Sequence, residues 1–259
     1  MKSIEEKYAR LLTSYCLELK EGDKFYLKST TLAEPLVREV SKCAIEAGAI
    51  VEVDLDFAEK NNIFLHTAKE HQLRYVSPLY YNAMDKFDAY LLIRAPFNLK
   101  EDASVPAEAT KIRSEALAAA NRRYFTRIAD RSLKRSLCQY PTQASAQEAG
   151  MSLTEYSDFV YRACKLHLDS PEEGWLKVRA EQQRIVDHLN KCQRVHYKGP
   201  DTDIRFSTKG RTWINSDGRS NMPSGEVFTS PVENSVEGTI RFSFPAIHGG
   251  HEVEQATLW

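Results

Sequence analysis

The sequence lacks most of the signatures that assign a function at sight. It has no GxGxxG and no GxxxxGK(S/T), so neither a dinucleotide nor a P-loop fingerprint marks it. HExxH and GxSxG are also missing. No apolar run approaches the roughly 18 residues of a membrane span. With 11 Gly and 10 Pro in 259 residues the chain is neither low-complexity nor collagen-like. Charge of one sign is lacking too: 35 Lys+Arg face 36 Asp+Glu, a net of -1. That balance argues against a protein whose main work is coating nucleic acid or an anionic membrane. Five cysteines (Cys16, Cys43, Cys138, Cys164, Cys192) are odd in number and scattered, with no CxxC pair. They read as free thiols in a reducing compartment rather than a disulfide framework. Residues 1–7 run straight into a charged amphipathic pattern with no apolar signal core. The expectation is a soluble, cytoplasmic protein with no nucleic-acid and no membrane partner.

What is present is a regular alternation of helix and strand signals. Ile4, Tyr8, Leu11, Leu12, Tyr15, Cys16 and Leu19 are spaced by threes and fours, the pattern of one helical face. Gly22-Asp23 ends that pattern, and Phe25–Leu27 reads as a strand. A second helix runs through Leu36, Val37, Val40, Cys43, Ala44 and Ala47 to a stop at Gly48. Ala49–Leu55 is strand-like, 57–72 helical, and Ala89–Arg94 a nearly continuous apolar strand. Residues 107–135, 152–167 and 172–191 read as helices, the second opened by a Ser152/Glu155 capping box and the third by Pro171 with acids in its first turn. Strands alternating with helices imply an open, largely parallel α/β sheet domain over 1–192. From Val195 short strand-like pieces (195–198, 204–207, 212–214, 237–244, 252–259) alternate with Gly, Pro, Asn and Asp. Residues 193–259 therefore read as the start of a mainly antiparallel β (α+β) domain.

Chemistry could sit in four places. Lys111, Arg113, Arg122, Arg123, Arg127, Arg131, Lys134 and Arg135 face only Glu115 and Asp130 within 111–135. That segment reads as a solvated helix face or an acidic-partner surface, because it lacks the interleaved aromatics of single-strand binders. His167-Leu168-Asp169 has a ligand-like spelling but falls between two helices, where Asp169 or Ser170 serves as a cap. His248-Gly249-Gly250-His251 with Glu252 reads as a hairpin turn with polar shoulders. The fourth is Asn221–Pro231. Pro223 and Gly225 shape a tight turn before Glu226, and Val227-Phe228 opens an apolar run. The reading places Glu226 where it is partly desolvated, so that it needs a cation or a strong hydrogen-bond set, and the residues alone favour a structural salt bridge over a functional site.

Asn221–Pro231, continued by Val232–Gly238, resembles the signature of the M29 metalloaminopeptidases, the thermophilic aminopeptidase group. The resemblance covers the whole chain. It includes Tyr8–Leu12, Gly22-Asp23, Tyr140-Pro141-Thr142, Ala146–Leu153, Glu155-Tyr156, Asp158–Tyr161, Asp203, Gly210-Arg211 and Trp213-Ile214. It implies hydrolytic removal of N-terminal residues from peptide substrates by two divalent metal ions (zinc, cobalt or manganese) in the C-terminal domain, and a homodimer formed largely through regions outside this sequence. It makes Glu226 a metal ligand. The family's other ligands are a second Glu in a Gly-Glu-Phe-like motif, a His in a Thr-x-His-like motif and a His-x-Asp pair, and all follow this segment. None of these motifs occurs after Glu226 here. The expectation is an N-terminal, truncated portion that lacks most metal ligands and is inactive alone. The alternative is a non-catalytic interaction or dimerisation module derived from the same scaffold.

Overall fold

A computed structural model describes residues 3–248 and 251–258. The chain separates into two compact units: Met1–Glu172 with Gly218–Pro223, and Glu173–Asp217 with the residues from Ser224 onward. Residues 173–192, read above as part of the first domain, cluster with the second unit, and 218–223 with the first.

The chain opens with α1 (Ile4–Arg10), capped by a reciprocal Ser3/Glu6 box. The helix then widens into a π-helix over Leu11–Cys16. Two side chains explain the widening. The Thr13 hydroxyl donates to the Ala9 carbonyl at 2.8 Å and that of Ser14 to the Arg10 carbonyl at 2.5 Å. Such back-bonding competes with the i to i−4 ladder. The next amide, Leu17 N–H, reaches Leu12 O at 3.0 Å. The single amphipathic helix expected to Leu19 is thus a helix of two kinds, still burying Tyr8, Leu11, Leu12 and Tyr15.

Next come β1 (Lys24–Thr30), α2 (Glu34–Glu46) and β2 (Ile50–Asp56). The helix expected over 57–72 is two, α3 (Lys60–Thr67) and α4 (Glu70–Leu73), because Ala68 between them is extended (ψ 139°). α5 (Pro78–Lys86), not foreseen, precedes β3 (Ala89–Arg94), whose bounds are those expected. α6 (Ala107–Ala129) stops short of 135 where Arg131 adopts φ +63°, and Lys134–Gln139 form β4 instead. β4 escaped notice because its buried positions are Ser136 and Cys138 rather than large apolar residues. α7 (Gln143–Glu148), α8 (Leu153–Ala163) and α9 (Pro171–Leu189) follow, and α8 opens on the expected Ser152/Glu155 box.

The remaining strands are β5 (Arg194–Gly199), β6 (Thr202–Ser207), β7 (Ile214–Ser216), β8 (Asn221–Met222), β9 (Glu226–Phe228), β10 (Glu237–Arg241), β11 (Ala246–His248), β12 (His251–Val253) and β13 (Thr257–Leu258). The expected strand 237–244 ends at Arg241. The one expected over 252–259 is two short pieces, of which Trp259 lies outside the described residues.

In the first unit β2-β1-β3-β4-β8 form a parallel sheet with helices on both faces. One face buries Phe25, Leu27, Leu91 and Ile93. The other holds Tyr90 with Tyr26, Tyr80, Leu92 and Tyr124 against Ala83, Met84 and Leu133. In the second unit β13-β10-β6-β5 is an antiparallel sheet, and β7-β9 and β11-β12 are two-stranded ribbons. An α/β unit with a parallel sheet and a unit with an antiparallel one is the expected fold class.

Candidate functional site

The segment around Glu226 passes from the first unit to the second. At its start Asn221-Met222 adds a fifth parallel strand beside Leu137-Cys138. Arg135 Nη1 fixes it, donating to Ser220 O at 2.8 Å and Asn221 Oδ1 at 2.9 Å. Met222 is buried, and its carbonyl lies 3.3 Å from the hydroxyl of buried Tyr8. Burial pushes that phenol well above its usual range, so it stays a neutral donor.

Beyond the cis Met222-Pro223 bond the second unit takes over. Ser224 Oγ lies 2.7 Å from Ser216 Oγ and 2.9 Å from Ser216 O. Gly225 sits at φ +115°, a conformation a side chain would strain, and its N–H reaches Ser216 O at 3.2 Å. Glu226 then pairs with Ser216, Val227 with Asn215 and Phe228 with Ile214. A residue missed in the sequence fixes this ribbon. The buried amide Nε2 of Gln182, on α9, shares its two protons among Glu226 O at 2.9 Å, Asn215 Oδ1 at 2.9 Å and Ser216 O at 3.2 Å. Asn215 Nδ2 in turn donates to Arg179 O at 2.9 Å, and Arg179 Nε to Asp217 at 2.6 Å. The available signal was Gln182 on the face of α9 that carries Trp175 and Val186. A polar residue at a core position needs partners.

The Glu226 side chain itself is exposed, which overturns the expected desolvation. Strand alternation is the reason: Val227 turns inward, so Glu226 and Phe228 turn outward. No ion-pair partner lies beside Glu226 among the described residues, so the structural salt bridge does not form. Among those residues no group of three or more His, Cys, Asp or Glu gathers to hold a metal. A dinuclear centre requires several converging donors with ordered supports. One outward carboxylate on a two-stranded ribbon does not fit that requirement.

The other candidates are placed as follows. His167 and Asp169 are exposed in the turn between α8 and α9. His248 and His251 stand opposite each other in the β11-β12 ladder, as a hairpin requires, while Gly249 and Gly250 lie outside the described residues. Half of the basic stretch is exposed, as a solvated face requires (Lys111, Arg122, Arg123 and Arg131), while several of its residues also bond within the fold. Arg113 donates to Leu73 O and Tyr75 O, Arg123 to Asp85, Arg127 to three backbone carbonyls, and Lys134 to Asp23. The sheet order reverses between β1 and β3, the crevice where open α/β sheets bind ligands. There Ser29 donates to Ile93 O at 3.0 Å and Thr30 to Ala95 O at 2.6 Å. A cavity of about 530 Å³ in the first unit is lined by Lys7, Arg10, Glu46, Asp169 and Glu172, charges of both signs with no convergent set.

A parallel α/β unit is thus followed by an antiparallel unit entered through Met-Pro-Ser-Gly-Glu-Val-Phe. The chain belongs to the thermophilic metalloprotease family M29, whose sequence profile matches residues 1–259. It is 29% identical to Aminopeptidase 2 of Geobacillus stearothermophilus over 98% of this chain and 66% of that protein. With Aminopeptidase PepS of Streptococcus thermophilus it shares 25% identity over 96% of this chain and 66% of that one. Its fold matches wild-type AmpT from Thermus thermophilus with a TM-score of 0.82 at 24% identity, over 98% of this chain and 68% of that one. The chain thus spans about two thirds of the length of these relatives. No helix among the described residues is long and apolar enough to cross a membrane.

Proposed function

We propose that this chain carries the scaffold of a metal-dependent aminopeptidase acting on the N-termini of peptides in a reducing, cytoplasmic setting. In that reading Glu226 is one carboxylate ligand of a two-metal centre (zinc, cobalt or manganese), and the 259-residue polypeptide by itself binds metal weakly and turns over little substrate. The observation that carries the reading is the family match over the whole chain, with the Glu226 ribbon built and pinned by Gln182. The weakness follows from the donor count, since a lone exposed carboxylate competes poorly with water for a divalent ion.

The test is titration of the purified chain with Zn²⁺, Co²⁺ and Mn²⁺ alongside hydrolysis of a leucine anilide. Weak, substoichiometric binding that Glu226→Gln reduces further is expected. Two tightly bound ions per chain with steady anilide turnover would overturn the proposal. The second reading, a non-catalytic interaction or dimerisation module, is favoured by one observation: among the described residues β2 and β5 end their sheets, with β5 exposed over most of its length and β2 at Ile50, Glu52 and Val53.

A further inference from the structure

Two edge strands carry residues of opposite charge, part of it already paired within the chain: Asp54 and Asp56 with Lys28 and Lys60, and His196 with Asp203. β2 ends the parallel sheet and reads Ile50-Val51-Glu52-Val53-Asp54-Leu55-Asp56. β5 ends the antiparallel sheet and reads Arg194-Val195-His196-Tyr197-Lys198-Gly199. Alternation puts Glu52, Asp54 and Asp56 on one face of β2, and Val51, Val53 and Leu55 on the other. It likewise separates Arg194, His196 and Lys198 from Val195 and Tyr197. Ile50 and Val53 are 55% and 45% exposed, and Tyr197 is 51% exposed. A long edge with apolar residues is a ready template for another strand.

The backbone fixes how the two could join. Ile50 N–H is bonded to Asp23 O on the β1 side, so Val51, Val53 and Leu55 turn their N–H and C=O groups to the free edge. Thr208 N–H is bonded to Gln193 O, which places 193, 195 and 197 on the β6 side and leaves Arg194, His196 and Lys198 facing outward. For L-residues, face, free edge and chain direction are linked. Bringing the acidic face of β2 and the basic face of β5 to the same side makes the two strands parallel. Parallel bonding then sets Val53 opposite a β5 residue whose backbone turns inward, which is Val195 or Tyr197. With Val195 the cross-strand pairs are Glu52–Arg194, Val53–Val195, Asp54–His196, Leu55–Tyr197 and Asp56–Lys198. Direction, face and hydrogen-bond phase also agree with Tyr197 opposite Val53, which pairs Glu52–His196 and Asp54–Lys198; the Val195 register is the fuller match, with two carboxylate pairs to Arg or Lys, one carboxylate–imidazole pair and two apolar pairs.

We propose that β2 of one copy of this chain pairs in parallel with β5 of a second copy, extending one copy's parallel sheet with the other's edge strand. Charge selects this partnership over like-with-like pairing. β2 against β2 is antiparallel by the same geometry and, centred on Val53, sets Glu52 against Asp54 of the other copy. β5 against β5 sets basic residues together. Like charges directly opposite destabilise a strand pair. The inference rests on strand geometry and stands whether or not the chain turns over peptides.

The test is sedimentation velocity on the full chain over a concentration series, at low and at high salt. Glu52 and Arg194 are the residues to change, because both are exposed and neither is placed in the proposed metal site. Reversible association is expected, weakening with salt. Glu52→Arg and Arg194→Glu should each weaken it by roughly tenfold. An equimolar mixture of the two variants should regain it, since the exchanged charges then meet with opposite sign across the strand pair. Circular dichroism confirms that each variant is folded. A wild-type chain that stays monomeric overturns the proposal. So does tighter association of Glu52→Arg, the mark of β2 pairing with β2, and so does a mixture that fails to recover.

Discussion

Removing the guanidinium of Arg127 should cost more than any other single change in the basic helix α6. Arg127 is 6% exposed and has no carboxylate among its bonded partners. Its Nη1 donates to Met84 O at 3.0 Å, its Nη2 to Phe87 O and Ser132 O at 2.8 Å each, and its Nε to Ser132 Oγ at 3.2 Å. Met84 and Phe87 lie at the C-terminal end of α5, where carbonyls have no partner within the helix and the dipole favours a cation. Arg127→Met keeps the apolar stem and strands three acceptors. The Met84 bond is fully buried, and the other two are partly reached by solvent. At about 1–3 kcal/mol for a stranded buried acceptor, and less where water can replace the donor, the total is about 3–4 kcal/mol. Against a typical stability of about 5–15 kcal/mol that is a large fraction. In urea, followed by far-UV circular dichroism, the midpoint should fall by about 1 M or more at unchanged slope. Arg127→Lys should recover about half, because one ammonium cannot span all three carbonyls. Arg122→Met, on the exposed side of the same helix, should stay within about 0.5 kcal/mol of wild type. Equal midpoints for the 127 and 122 variants would refute the reasoning.

Gln182→Leu should destabilise by about 2–3 kcal/mol and raise amide exchange in 214–216 and 226–228, since Ser216 O and Glu226 O lose their shared donor. Gly238→Ala should disrupt the β6-β10 pairing outright: a Cβ there would stand 1.9 Å from Asp203 O, at φ +116°, and the variant's antiparallel sheet should lose its exchange protection. Gly225→Ala meets no atom closer than Gln182 Oε1 at 3.8 Å, so its cost, about 1–3 kcal/mol in a thermal melt, comes from φ +115° alone. Burial pushes the Asp54 carboxyl up, but its bonds from Lys28 and Tyr26 and the charges of Lys28 and Lys60 outweigh that and hold it below the usual carboxylate range. A depressed folded value means stability present above the unfolded value near about 4 and lost as pH falls through the folded one. Asp54→Asn should therefore flatten the acid limb of a stability–pH curve below about pH 4, and an unchanged limb would sink this assignment.

Much of the first unit was legible because its signals are local. Ala89–Arg94 is buried on both faces and announces itself as a continuous apolar run. Ser152 and Glu155 cap α8 by side chains three residues apart. Phe57–Gln72 carried a helical pattern, but periodicity does not register the extended Ala68 that divides it. β4 was hidden because Ser136 and Cys138, though fully buried, are small.

By itself the sequence determined the family, the α/β order of the first unit, the antiparallel character of the second and the residue singled out in the Met-Pro-Ser-Gly-Glu segment. These depend on short-range pattern and on motif spelling. Only the tertiary structure decided what that segment does physically. Two residues, Asn221-Met222, are too few to show a strand pattern, and they become a strand only because β4 offers a free edge. Glu226 looked desolvated beside Val227-Phe228, yet the pairing of β9 with β7 turns it to solvent. Gln182 stands 44 positions earlier and reads as an ordinary helix residue until the fold sets its amide against Glu226 O. Within the basic run of α6, Arg113 and Arg127 looked like surface residues until α4, α5 and the loop after α6 supplied carbonyls for them. In each case the deciding partner is distant in sequence, and hydrogen bonds and burial between distant segments are set only when the chain packs.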